Sequence, residues 1–408
     1  MTSSLVGSEM CIRDSSNILI YLVGILFIVL TDTFLFIQIR KFLRKKRAIL
    51  FYLIHSLLFI LGLTLYHFTV PRLKGPESYY WIGLAIGILF LFYAPKVIFI
   101  LLNILASIGG LLNRKIQKVG RKIATVCALS LFLILLYSMT WGRYNFKMTT
   151  REICFTNLPE AFHSFKIVQL TDLHLGSLPS HYPGISRLVK EVNALHPDLI
   201  LFTGDMVNNF ASELAPWTGE LSKLKAKYGK FAVTGNHDYG SYTRWSSPEE
   251  QKQNGIDFFR NMEAAGFTML NNTHRAIPLK GDTIYIAGVE NWGNPPFPQY
   301  GRLKEAIAGI QGQFIILLSH DPSHWRAQVL DEPIPLTLSG HTHAMQMGIK
   351  IGKYEWSPAQ YIYPEYDGLY QSQNQYLNVS RGQGYLGFPG RIGLRPEITV
   401  LILTNNCK

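Results

Sequence analysis

The sequence predicts an all-α membrane region followed by an α/β domain. Three observations support this. Long apolar runs fill the first 142 residues. Beyond them, apolar runs of four to six residues alternate with longer segments, many of helical pattern. Charge divides at the same place: residues 1–142 hold 15 of the 39 Lys and Arg but 4 of the 27 Asp and Glu, and the remainder is close to neutral. The 408 residues are 48% hydrophobic and 16% charged, against roughly 25% charged in average soluble proteins. Disordered and low-complexity classes are thereby excluded, and four cysteines are too few for a disulfide scaffold. The net charge of +12 would suit nucleic acid. However, the excess lies beside the apolar runs, where membrane topology accounts for it, so no nucleic-acid partner is expected.

Residues 1–15, MTSSLVGSEMCIRDS, show neither an apolar leader core nor a helical period. They resemble a translated adaptor scar and are set apart from the membrane domain, residues 16–142. Apolar segments follow at 17–39, 51–70, 79–112 and 123–141, and a helix needs ~20 apolar residues to cross a bilayer. The third segment is too long for one simple span and contains Pro95 and Lys96. It reads either as two spans or as one span with an extension.

Loop charge arbitrates. Arg40, Lys41, Arg44, Lys45, Lys46 and Arg47 follow the first segment, and Arg114, Lys115, Lys118, Arg121 and Lys122 precede the last. The loop between holds Arg72, Lys74 and Glu77. Placing both basic loops inside requires counting the third segment once. The expectation is four spans with a kink near Pro95, in a bacterial cytoplasmic membrane, with residue 143 onward outside the cytoplasm. Asp32 lies in the first span, and His55 and His67 in the second. Intramembrane ionisable groups are functional candidates. No other span holds an acidic residue, so Asp32 is expected to bond a neighbouring helix.

Residues 143–408 form the second domain. After an extended lead-in at 144–166, buried strands are predicted at 166–170 (KIVQL), 198–202 (DLILF), 230–233 (KFAV), 283–287 (TIYIA), 314–318 (FIILL), 335–338 (PLTL) and 397–403 (EITVLIL). Helices are predicted at 184–195 and 248–265. Five strands run into chemistry-bearing residues: Asp172 and His174, Asp205, Asn236 with His237 and Asp238, His320, and His341 with His343. Ligands bind outside the carboxyl ends of strands in open α/β sheets, so these side chains are expected to converge. Imidazole, carboxylate and amide without thiol suit Mn, Fe or Zn. Seven ligands suit two ions sharing a carboxylate. Gly204, Gly235 and Gly340 each precede a candidate ligand, where glycine tolerates a sharp turn.

The ordered set Asp172-x-His174, Gly204-Asp205, Gly235-Asn236-His237-Asp238, His320 and Gly340-His341-x-His343 resembles the calcineurin-like metallophosphoesterase superfamily over about residues 160–405. The resemblance implies a layered α-β-β-α sandwich. It implies that Asp172, His174, Asp205 and His343 hold one ion, and that Asn236, His320 and His341 hold a second, with Asp205 bridging. It implies a metal-bridging hydroxide that attacks phosphorus in line. It also implies that His237 protonates the leaving oxygen rather than binding metal, with Asp238 orienting its imidazole. Two positions depart from the pattern: Asn208 stands where a second Asp is frequent, and Ala344 where glycine is common. The stretches 288–292 (GVENW), 380–384 (SRGQG) and 389–393 (PGRIG) resemble the membrane-anchored bacterial subgroup with several N-terminal spans.

Arg381 and Arg391 are candidates for gripping phosphate, with loop ion pairs as the alternative. Trp292, Phe297 and Tyr300 either line a substrate wall or pack a Pro-rich loop. His163, His181, His196, His274 and His324 are expected to be ordinary. Cys154 and Cys407 are free or bonded; the sequence does not decide. The functional expectation is a hydrolase of phosphate esters or anhydrides, acting on a phosphorylated small molecule or a lipid-linked or envelope phosphoester beside the lipid bilayer. The alternative is a non-catalytic metal-binding sensor or scaffold on the same fold. A transport role is disfavoured by the lack of paired intramembrane charges, and a nuclease by the near-neutral domain.

Overall fold

The computed structural model describes residues 3–40, 46–69, 75–179, 182–352 and 354–407. The chain forms two compact units, Met1–Lys74 with Leu84–Tyr137, and Gly75–Gly83 with Ser138–Lys408.

The membrane unit is built on α1 (Ser3–Ile39), α2 (Lys46–Thr69), α3 (Glu77–Gly109) and α4 (Arg114–Thr140). All four are long and apolar enough to cross a bilayer, α1 through its part Tyr21–Ile39. Helix α1 runs back to Ser3, into the stretch without a helical period, because adding residues to an existing helix costs far less than nucleating one. Helix α3 continues through Pro95, so the long third segment is one helix. The basic positions 41, 44 and 45, the loop positions 72 and 74 and His181 lie outside the described residues.

Asp32 is 4% exposed. Its carboxylate accepts from the Tyr93 hydroxyl at 2.8 Å and pairs with Lys96 Nζ at 2.6 Å, while the Tyr52 hydroxyl donates to its carbonyl at 2.7 Å. The expected bond to a neighbouring helix is present. One correction is required: a paired intramembrane charge does exist, in Lys96. The two residues lie 64 positions apart, so only helix packing brings them together. A charge in hydrocarbon is tolerable when paired this way.

The second unit contains β1 (Lys147–Cys154), β2 (Phe165–Leu170), β3 (Leu199–Phe202), β4 (Lys230–Ala232), β5 (Thr268–Met269), β6 (Thr273–Leu279), β7 (Asp282–Gly288), β8 (Ile315–Leu318), β9 (Leu336–Ser339), β10 (Ile349–Ile351), β11 (Tyr354–Trp356), β12 (Gly368–Ser372), β13 (Gln375–Val379) and β14 (Glu397–Thr404). One six-stranded sheet has the order β1-β14-β2-β3-β4-β5 and a second the order β12-β13-β9-β8-β7-β6, with β10 and β11 forming a separate hairpin.

Side-chain alternation assigns each sheet two buried faces. From β3, Leu199 and Leu201 join Ile316 and Leu318 of β8 in the core between the sheets. Ile200 and Phe202 turn outward against Ile185, Leu188 and Val192 of α5 (Pro183–Ala194) and against Phe258 and Met262 of the helix Pro248–Ala264. On the far face of the second sheet, Ile315 and Leu317 meet Leu303, Trp325 and Val329. The layers are therefore helix, sheet, sheet, helix. Each sheet's central strands are covered on both sides, which is why they read as unbroken apolar runs.

All seven predicted strands are present. The extended lead-in becomes edge strand β1, paired in parallel with β14. Strands β5, β6 and β10 to β13 have no counterpart in the prediction. Much of β6 and all of β10 are exposed or half-buried, so they lack the apolar run that marks a central strand. Cys154, at the end of β1, is disulfide-bonded to Cys407, beyond the end of β14, with Cα atoms 5.4 Å apart. Edge strand and chain end are thus stapled across 253 positions. Cys154→Ser with Cys407→Ser is expected to lower the thermal midpoint of the non-reduced protein by several degrees, on the scale of about 2–4 kcal/mol. An unchanged midpoint would mean the staple adds nothing to stability.

Candidate metal centre

The five predicted strand ends meet. His343 Nε2 lies 3.2 Å from Asp172 Oδ1 and 3.0 Å from His174 Nε2. His174 Nε2 is 3.5 Å from Asp205 Oδ2, which is 3.1 Å from His320 Nε2. His341 Nδ1 is 3.3 Å from His320 Nε2 and 2.9 Å from Asn236 Oδ1. Donor atoms of all seven expected ligands thus form an unbroken series. Three groups within it bring their ligand atoms within 4.8 Å of one another: Asp172, His174 and His343; His174, Asp205 and His237; and Asp205, His320 and His341. Asp205 takes part in two of them, and His237 lies within reach of His174 and Asp205.

The residues fit divalent cations. Two pairs of imidazole nitrogens face one another, His174 with His343 and His320 with His341. Such a pair cannot be bonded without a shared proton or cation. Asp321 Oδ2 is fully buried without a hydrogen-bond partner and lies 3.4 Å from His341 Nε2. The electrostatics agree. Burial opposes ionisation of Asp205, but His320, His237 and His174 outweigh it and hold the carboxyl well below its usual range. Burial likewise opposes charge on His320, yet Asp205 and Asp172 push it up to about 10. A protonated His320 thus supplies positive charge that a metal cation would otherwise bring. Burial pulls His174 down to about 3, which keeps its imidazole neutral and able to coordinate.

The backbone corrects one expectation. Among the three glycines, only Gly204 has a left-handed φ, +101°. The unusual conformation sits instead on the ligands themselves: φ is +53° at Asp172, +46° at His174, +59° at Asp205, +71° at His341 and +51° at His343. Such strain persists only where the surroundings over-determine it. It continues through Ala344, Met345 and Gln346, which is why glycine would be at home at position 344. Gly235 and Gly340 serve by having no side chain. A Cβ on Gly235 would strike Asp205 Oδ1 and stand 2.7 Å from the Asp205 nitrogen, and one on Gly340 would strike Asp172 Oδ2.

A second layer of side chains holds the ligands. Asp238 does not reach the His237 ring as expected. Its carboxylate accepts from the backbone N–H groups of Asp205, Met206 and Gly235 at 2.9 Å each and of Val207 at 3.2 Å, which fixes the turn that aims Asp205. The His237 ring is oriented by the carbonyl of Asn208, 2.9 Å from Nδ1. The Asn208 side chain in turn bonds His174 Nδ1 at 2.9 Å. Asn208 therefore orients two histidines, a role the sequence did not reveal.

Arg391 is 4% exposed and donates to the carbonyls of Gly384, Arg381 and His343. Arg381 is 2% exposed and pairs with Asp367. Both are spent on protein acceptors behind the ligands. Gly382 and Gly384 press against Asp172 and Leu173, so the 380–384 loop is a platform for the first ligand strand.

Aromatic residues border the site. The Tyr363 hydroxyl lies 2.9 Å from His341 Nε2, the Tyr242 hydroxyl accepts from Asn236 at 2.8 Å, and the Phe297 ring stands 4.7 Å from His341. Trp292 stacks on His324 instead, and Tyr300 packs on Tyr239. His324 is an ordinary core residue, bonded to Ser319 and Gln328. Tyr242 and Tyr363 carried no sequence signal. Asp321 follows His320 directly, and that adjacency was its only signal.

Gly235→Ala is expected to leave the circular dichroism of the folded protein unchanged but to lower bound metal at least tenfold by elemental analysis, because the added carbon occupies the place of Asp205 Oδ1. Full metal content in that variant would mean Asp205 is not a ligand.

Comparison with known proteins agrees with this geometry. Residues 165–345 match the family described as Calcineurin-like phosphoesterase, and residues 16–143 match the family described as Probable Calcineurin-like phosphoesterase, transmembrane domain. The chain is 33% identical to the metallophosphoesterase YkuE of Bacillus subtilis over 257 residues, covering 60% of this chain and 81% of that protein. It is 30% identical to a transmembrane protein with metallophosphoesterase domain from Danio rerio, covering 68% and 62% respectively. It is 26% identical to the metallophosphoesterase Cj0846 of Campylobacter jejuni, covering 90% and 94%. With its four membrane-spanning helices and its converging ligand set, the chain belongs to the calcineurin-like metallophosphoesterases, and is a multi-pass membrane protein that hydrolyses phosphoesters.

Proposed function

We propose that the site is dinuclear and that the substrate is a lipid-linked or envelope phosphoester or pyrophosphate. The observation that carries the dinuclear reading is Asp205, which lies between one group of Asp172, His174 and His343 and another of His320 and His341, with Asn236 beside the second. Two divalent ions, with Mn, Fe or Zn suited to these donors, would neutralise phosphate charge and lower the pKa of water.

This chain's own residues do the rest. Asp172, His174 and His343 would hold one ion, Asn236, His320 and His341 the other, and Asp205 both. Asp238 and Asn208 keep the Asp205 turn and the His174 ring in place. The Asn208 carbonyl engages Nδ1 of His237, so Nε2 is the nitrogen left to hold or deliver a proton to the leaving oxygen. His237 is partly exposed, as a residue that meets substrate must be. Arg391, bonded to the His343 carbonyl and 3.3 Å from its Nδ1, acts as a positioning residue for that ligand rather than as a phosphate grip. Arg381 braces the same loop.

We further propose that the domain lies outside the cytoplasm of a bacterial cell. The basic loops on either side of α2 and α3 support this under the positive-inside rule. So does the Cys154–Cys407 disulfide, a bond that persists in oxidising compartments.

Two experiments follow. The full chain in detergent, assayed on a monoester, a diester and a pyrophosphate with added Mn, Zn or Mg, is expected to lose activity with chelator. His237→Ala is expected to keep its metal content while turning over ~10²-fold more slowly. Activity that survives complete metal removal would end the metal mechanism, and metal loss in His237→Ala would make that residue a ligand. Protease added to intact spheroplasts is expected to release the domain after residue 143; full protection would reverse the orientation.

A further inference from the structure

The segment between His343 and Tyr363 leaves the ligand cluster and returns to it. At its start, the left-handed run His343–Gln346 throws the chain outward. Strands β10 and β11 then form a hairpin of three pairs, Ile349 with Trp356, Lys350 with Glu355 and Ile351 with Tyr354. Ser357 Oγ donates to the Ala344 carbonyl at 2.7 Å and ties the base of the hairpin. At its far end, Tyr363 reaches His341. The excursion is thus fastened at both ends to metal-site residues and has no sheet of its own to cover.

Its outer surface carries a cluster of apolar side chains beside the Lys350–Glu355 ion pair. Seven of the fourteen exposed large apolar side chains among the described residues of 138–408 fall between 345 and 362. The most exposed are Ile349 at 52%, Ile351 at 72%, Tyr354 at 65%, Tyr361 at 75% and Ile362 at 62%. Singly exposed apolar residues are ordinary, but a cluster marks a contact surface. The chain itself identifies what covers this one. Six residues separate the end of α4 from the start of β1, and at about 3.5 Å per residue they span at most about 20 Å. The start of β1 is therefore tethered within about 20 Å of the end of α4, so the domain works close to the bilayer. Isoleucine mixed with tyrosine is the composition that side chains at a lipid–water boundary adopt, with the apolar body in lipid and the hydroxyl in the headgroup layer.

We propose that residues 345–352 and 354–362 form a membrane-docking element that enters the lipid interface and presents the headgroup of an amphipathic phospholipid to the metal site. The proposal deepens the hydrolase reading and names its substrate class: a phosphate or phosphodiester whose other end remains in the bilayer. The phosphate goes to the ligand cluster, and the apolar part stays with the Ile351 and Ile362 surface, one segment serving both.

The test uses the full chain in lipid nanodiscs, with Cys11→Ser and Cys127→Ser removing the thiols outside the Cys154–Cys407 disulfide and Ile351→Cys or Ile362→Cys carrying an environment-sensitive fluorophore. Acyl-brominated lipid is expected to quench both positions at least threefold more than a label at exposed Arg187→Cys. Quenching no greater than that control overturns the docking, whatever the enzyme's activity. The second arm compares hydrolysis of a soluble aryl phosphate with that of phosphatidate and a long-chain phosphodiester lipid in mixed micelles. Ile351→Ser with Ile362→Ser is expected to keep the aryl rate within twofold and to lose at least tenfold on lipid. Equal loss on both substrates would mean the hairpin only positions His343 and overturns the proposal. So would wild-type turnover of the aryl ester with none of the lipids. A dimer in detergent that dissociates in the double variant would assign the surface to a second copy instead, and would likewise overturn it. Failure to hydrolyse any ester would strike the hydrolase reading, while the quenching result would still decide the docking.

Discussion

Asp205 carries its charge inside the protein, 2% exposed, and much of the surrounding architecture answers that charge. A buried carboxylate is stable only if paired and hydrogen-bonded. Three histidines surround it, and its Oδ1 accepts from the His237 backbone N–H at 3.0 Å. Asp172 repeats the arrangement, accepting from the His341 backbone N–H and facing the His343 ring. Two enclosed negative charges faced by imidazole nitrogens make a cage suited to positive charge, which is the physical basis of a metal centre.

Holding those groups so close demands an unusual frame. Five candidate ligands sit in left-handed backbone conformations, at a cost that the rest of the domain must offset. Two compact cores against the first sheet and a third on the second provide the rigidity. At close range, the offset comes from Asp238, whose four backbone acceptor bonds pin the Asp205 turn, and from Arg391, which ties the His343 loop to the loop containing Gly384. These residues act through others. Their chemistry looks catalytic in a sequence, yet their geometry is structural.

The membrane unit follows the same rule in a harsher solvent. Asp32, Tyr93 and Lys96 satisfy one another among apolar helices, and Arg121 donates to Asn103, which also bonds Gln38. Each of these side chains has a partner from another helix, which satisfies it where water is absent. Neither group of contacts draws on neighbours in sequence.

The sequence by itself marked four apolar segments of spanning length, the seven apolar strands and the seven candidate ligands that the fold brings together. Each is written in local pattern: length of an apolar run, charge of a loop, or a ligand type directly after a strand. Tertiary structure alone decided the rest. It decided that Asp238 grips backbone instead of an imidazole, that Asn208 orients His174 and His237, that Arg381 and Arg391 face inward, and that Cys154 meets Cys407. It also decided that Asp32 finds Lys96. All of these depend on which of several partners, tens to hundreds of residues away, a side chain meets after the layers pack. Hydrophobic periodicity sets which face of a strand is buried, but it carries no record of what lies across the gap.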